Sequence, residues 1–207
     1  MPRTPARQRY RGSVDLPELL VTDAAEWRTW LEDRHASSTG VWLVLAKKGI
    51  THPTALLYDD ALIEAMCFGW IDGQIARRDE TTFRRRFTPR GPRSLWSKRN
   101  VALAEKLAAS GRMHRSGEDQ IRLAKADGRW EAAYAGQAEA QVPEDFAAAL
   151  AANPRAEQMF GTLSSANRYS ILYRISTAKK DDTRTRRITQ LVEMLARGET
   201  IHPQGPG

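Results

Sequence analysis

Two runs, Trp70-Ile71-Asp72-Gly73-Gln74-Ile75-Ala76-Arg77 and Thr82-Phe83-Arg84-Arg85-Arg86-Phe87-Thr88, flank the polar tetrad Arg78-Asp79-Glu80-Thr81. Strand-like segments on either side of a short polar break predict a β-hairpin. The chain must therefore accommodate an antiparallel pair. Val41-Trp42-Leu43-Val44-Leu45-Ala46, ahead of Lys47-Lys48-Gly49, is a short apolar run rich in β-formers and predicts a buried third strand.

Helices fill the spaces around these strands. Asp23 with Glu26 three residues on resembles a capping arrangement, and Trp27, Trp30 and Leu31 follow at helical spacing, so a helix is expected from about Asp23 to His35. A second runs from near Asp59 to Phe68, apolar on most faces, with Gly69 as its stop. The fold class expected is α+β: a small, three-stranded, mainly antiparallel sheet covered by helices on one face, followed by a C-terminal helical region.

From Ser97 onward the chain reads as helices: Ser97 is a cap for one ending at Gly111, and Ser116 starts another ending at Gly128. Trp130 and Tyr134, four apart, would share a helix face. Pro143-Glu144-Asp145 is a first-turn signature, and helices are expected over 154–163, 166–178 and 182–197. The organisation expected is a disordered basic tail over 1–14, an α+β core domain over 15–135, a helical region over 136–200 and a disordered tail over 201–207.

A chain of 207 residues, 41% hydrophobic and 28% charged, has enough apolar matter for a core. Its net charge of +7 favours anionic partners: an anionic small molecule, an acidic protein surface or, weakly, nucleic acid. A high-GC genome, suggested by the abundance of Ala and Arg, gives the same charge without any partner. The single cysteine, Cys67, has no internal disulfide partner; its apolar neighbours favour core packing over nucleophilic chemistry. No apolar stretch follows the basic N-terminus, and nothing approaches the ~20 apolar residues of a membrane span. A cytoplasmic location is expected.

The densest polar and aromatic stretch begins at Trp70 and Asp72. It resumes through Arg90, Arg93, Trp96, Ser97, Lys98 and Arg99, where a Pro/Gly loop enters a helix start. Free N–H groups and the dipole at a helix start favour an anion, so these eight residues form the candidate ligand-binding set. The alternative is that Trp96 anchors the loop, Ser97 caps the helix and the arginines are solvated. Asp72 near Arg85 or Arg93 is either a catalytic base or an ion-pair partner. Lys179, Lys180, Arg184, Arg186 and Arg187 form a second basic cluster near the last helix start, mildly suggestive of an anionic partner. His35, His52, His114 and His202 are too scattered for a metal site, and the phosphate-loop, dinucleotide and nucleophile-elbow patterns are missing. No metal, cofactor or catalytic motif is expected.

The motifs Cys67-Phe68-Gly69-Trp70-Ile71-Asp72-Gly73, Phe87-Thr88-Pro89-Arg90, Arg93-Ser94-Leu95-Trp96-Ser97-Lys98-Arg99-Asn100 and Gly128-Arg129-Trp130-Glu131 come in this order along the chain. With Ser165-Ala166-Asn167-Arg168-Tyr169, Ala178-Lys179-Lys180 and Arg184 to Ile188, they resemble the YdeI/OmpD-associated, bacteriocin-protection family over roughly residues 20–198. The resemblance implies a bacterial protein linked to protection against bacteriocins or envelope stress, and it implies no catalytic residue set. The leading expectation is a protection protein that binds an anionic ligand or partner through the Arg/Trp-rich loop. Nonspecific nucleic-acid binding and an enzyme acting on a phosphorylated or carboxylated small molecule are the alternatives.

Overall fold

A computed structural model describes residues 16–136 and 139–204. The stretch read as a basic tail, 1–14, lies outside them. Two compact units are present. The first reaches to Ser94 and takes up Ala104–Ala124; the second takes Leu95–Leu103 and resumes at Lys125.

The first unit is built on a four-stranded mixed sheet in the order β1-β2-β4-β3, formed by β1 (Glu18–Leu19), β2 (Val41–Ala46), β3 (Trp70–Arg77) and β4 (Thr82–Pro89). The hairpin β3–β4 is the one the sequence predicts, and β2 pairs antiparallel to β4. The expected three strands become four because β1 pairs parallel to β2 through Glu18↔Trp42 and Leu19↔Leu43. Two residues following Pro17 carry no alternation, so their pairing depends on β2 alone.

Strand alternation sorts side chains onto two faces. Trp70, Asp72, Arg85 and Phe87 point to the face covered by α1 (Ala24–Arg34) and α2 (Tyr58–Cys67). Asp23 caps α1, accepting from the N–H groups of Ala25 and Glu26 at 2.9 and 3.0 Å. This fixes the stripe that carries Trp27 onto the sheet, 5.9 Å from Phe87 and edge-on to Trp70 at 6.2 Å. The Trp27 indole donates to the Ala61 carbonyl at 3.1 Å, so its one polar atom is satisfied where the ring is fully buried. Burying each such ring contributes roughly 1.5–3 kcal/mol.

The start of α4 (Arg115–Ala126) lies against the α2–β3 corner. Gly69 takes φ +75°, and a Cβ there would meet the Ser116 carbonyl oxygen at 2.8 Å. Gly117 faces the Cys67 carbonyl so closely that a Cβ would stand 2.3 Å from its oxygen. Glycine at both positions is what lets the two backbones touch.

The second unit contains α5 (Glu144–Ala151), α6 (Pro154–Gly161), α7 (Ser165–Ser176) and α8 (Asp181–Ala196), close to the predicted spans. Their core joins Phe146, Leu150, Phe160, Ile171, Ile175, Leu191 and Leu195, with Phe146 and Phe160 edge-to-face at 5.4 Å. Arg184 and Arg187, read as part of a basic cluster awaiting an anion, are engaged within this bundle. Arg184 donates to the Ile175 carbonyl at 3.2 Å and clasps Asp145 at 2.6 and 2.8 Å, while Arg187 donates to the Arg174 carbonyl at 2.5 Å. Both guanidiniums donate to carbonyls at the end of α7, where the helix's own N–H donors run out. Of the expected C-terminal tail, residues 201–204 are described: the His202 N–H donates to Asn167 Oδ1 at 2.8 Å, and the Asn167 amide donates to Gln204 Oε1 at 2.9 Å.

Candidate functional site

The expected site residues divide between the units. Trp70, Asp72, Arg90 and Arg93 belong to the first, and Trp96, Ser97, Lys98 and Arg99 to the second. Trp70 is buried on the helix-covered face, its indole donating to the His35 carbonyl at 3.3 Å. Asp72, on the same face, accepts from the Tyr58 hydroxyl at 3.1 Å and is ion-paired to Arg85, whose guanidinium lies 4.3 Å from the centre of the Tyr58 ring. Of the two arginines offered for Asp72, Arg85 is the partner. Arg90 is buried, its N–H bonded to the Gly69 carbonyl at 3.0 Å, and Arg93 is exposed.

The run Arg84-Arg85-Arg86 reads as one cationic cluster in sequence. On β4 it is taken apart. Arg85 turns inward to Asp72; Arg84 turns outward, donating to Glu18 at 3.0 Å and lying 5.7 Å from the Trp42 ring centre. Glu18 also accepts from Arg78 at 2.9 Å, and this pair of guanidiniums holds its carboxyl below the ordinary range against the opposing effect of its partial burial, the largest single influence. Arg86 donates to Gln74 at 3.5 Å. On the outer sheet face Arg78 and Arg84 thus share Glu18, and on the helix-covered face Arg85 is paired with Asp72.

One further charged group, with its partners, carries no signal in the sequence. Glu64, on the buried side of α2, accepts from Arg28 at 2.9 Å and is ion-paired to Arg112. One carboxylate thereby ties α1, α2 and the turn ahead of α4. Cys67, one turn away, is fully buried, and burial pushes its thiol up, away from the reactive thiolate. Among the described residues no three His, Cys, Asp or Glu side chains gather to hold a metal ion, and no helix is long and apolar enough to cross a membrane.

In the second unit, Trp96 and Ser97 are fixed by a partner that the sequence does not place beside them. The helix expected to end at Gly128 ends at Ala126, and Trp130 and Tyr134 share no helix beyond it; Tyr134 forms a parallel bridge with Ser97. Its N–H donates to the Trp96 carbonyl at 3.0 Å and its carbonyl accepts from the Lys98 N–H at 2.9 Å. Gly128, at φ +74°, breaks the helical path, so spacing four does not place the two rings on one face. Trp130 packs on Trp96 at 4.8 Å.

Ser97 caps α3 (Lys98–Ala109), its hydroxyl accepting from the Asn100 N–H at 3.1 Å. With the Lys98 N–H also taken, an anion at this end meets the helix dipole and side-chain charge more than backbone donors. Those charges border a cleft of about 730 Å³ walled by Lys98, Arg99, Ala102, Ala135, Glu139 and Gln141. A recess of about 80 Å³ shares Ala135 and Gln141 with it and is lined further by Ala140, Pro143, Tyr169, Leu172, Tyr173 and Ser176. Of the other walls, Pro143 and Tyr169 fall in sequence motifs, and the rest, from α3, an irregular loop and α7, carry no signal that marks them as walls of one space.

Residues 139–198 match the family described as bacteriocin-protection, YdeI or OmpD-associated. This segment resembles that family. Residues 19–120 match a separate domain of unknown function, DUF8412. The motifs from Cys67 to Asn100 fall within the second match, and the YdeI/OmpD-associated segment contains α5 to α8 and most walls of the recess. No curated protein and no solved structure matches the chain.

Proposed function

We propose that the protein binds a small organic anion in the cleft at the start of α3, and that this binding serves the bacteriocin protection named in the family's description. The observation that carries the reading is the cleft itself, with Lys98 and Arg99 both exposed on its wall at the positive end of a twelve-residue helix. Ser97 fixes the helix start and Trp96 holds the loop through Trp130. Of the eight expected site residues, Ser97, Lys98 and Arg99 keep a direct role, and Trp96 a supporting one. Trp70 and Asp72 are assigned to the packing and ion pairing of the first unit. Glu139, which also lines the cleft, disfavours polyanions and selects ligands of low charge.

A nuclear magnetic resonance titration with inorganic phosphate tests the reading. Saturable amide shifts at Lys98, Arg99 and Ala135 support it. Shifts confined to other cationic surfaces, or none that saturate, refute it.

A further inference from the structure

The cleft and the recess differ in chemistry while sharing walls. The cationic pair stands at the wide part, and the narrow part is bounded by two phenol rings, Tyr169 and Tyr173, whose centres lie 6.0 Å apart, and by the buried Leu172. Tyr169 donates to the Ala135 carbonyl at 3.4 Å, so its ring is held at the junction of the two spaces. Burial also raises the Tyr169 phenol, marking this end as poorly hydrated. A ligand that is ionic throughout leaves this end unused. An apolar end gains there by leaving water.

Resting on the anion-binding reading above, we infer that the ligand is an aromatic anion: a phosphate or carboxylate held by Lys98 and Arg99, joined to one ring whose edge enters the recess between Tyr169, Tyr173 and Leu172. Size sets the limit of one ring. A closed cavity of about 150 Å³ accommodates benzene, and the recess, at about 80 Å³, takes part of such a ring while the remainder lies in the cleft. The tyrosine rings offer it edge-to-face or offset contacts. Gln141, common to both spaces, supplies an amide where the ring joins the anionic group.

The test compares phenyl phosphate with methyl phosphate, which carries the same charged group without the ring, by calorimetric titration of the full chain. Phenyl phosphate is expected to bind roughly tenfold more tightly. Ala140→Phe, which fills the recess, should remove that advantage and leave methyl phosphate unchanged. Should that variant fail to fold, proton–proton contacts between the phenyl group and the rings of Tyr169 and Tyr173 in the unaltered protein decide the matter. Equal affinity for the two phosphates, or phenyl contacts elsewhere, overturns the aromatic assignment while saturable methyl phosphate binding leaves the anion site standing. Saturable binding of neither overturns both.

Discussion

Arg85 reaches Asp72 across a β-bulge, where the register between β3 and β4 shifts between Asp72 and Ile75, and the guanidinium is held against the face of Tyr58 at the start of α2. Hairpin and helix are thus joined by one partly buried ion pair with an aromatic lid. Asp72→Ala leaves Arg85 with its charge and without its partner. It is expected to lower the free energy of unfolding by about 1–3 kcal/mol, measured in urea, without changing phosphate binding at the α3 cleft. Unchanged stability with lost binding would return Asp72 to the ligand site.

The hairpin turn depends on Asp79. Its carboxylate accepts from the Thr82 hydroxyl and N–H at 2.7 Å each and from the Thr81 N–H at 2.9 Å, and these bonds, those to Thr82 foremost, hold the carboxyl far below the usual range. A carboxylate depressed in the folded state contributes stability that is complete above its unfolded pKa, near 4, and fades as the pH falls toward the folded value. The gap in urea midpoint between the wild type and Asp79→Asn should therefore be full at neutral pH and shrink in acid. A gap that widens in acid contradicts this assignment.

Close packing of α4 on the α2–β3 corner gives a third prediction. Gly117→Ala sets a methyl group against the Cys67 carbonyl, a backbone atom that cannot rotate away, and should cost about 1–3 kcal/mol. In the unaltered protein Cys67 should react with a thiol reagent only as fast as the chain unfolds. Rapid modification of the folded protein would show that the thiol is reached by another route.

Elements with strong periodicity were legible in the sequence. The hairpin arises at Trp70–Arg77 and Thr82–Pro89, and the last helix at Asp181–Ala196, because alternation and an apolar stripe specify local structure by themselves. β1 was not legible, since a two-residue strand exists only through its neighbour. The arginine runs were visible as charge but not as direction. Period two sends Arg84 and Arg85 to opposite faces, and Arg184 and Arg187 turn to the end of α7, so adjacency in sequence overstated a shared anionic partner. Glu64 sat in an apolar run, and its partners Arg28 and Arg112 lie 36 and 48 residues away. Lys98 and Arg99 were found from the helix start, but the loop and α7 walls that make their surroundings a cleft depend on tertiary structure.

The central claim is that Lys98 and Arg99 bind an anion as a pair. Calorimetric titration of inorganic phosphate into the wild type and into the double variant Lys98→Gln, Arg99→Gln measures it most directly. The account predicts saturable binding to the wild type that weakens with added salt and at least about tenfold weaker binding to the double variant, since two charge-assisted contacts are lost, with the urea midpoint unchanged. Equal phosphate affinity in the two proteins would contradict it.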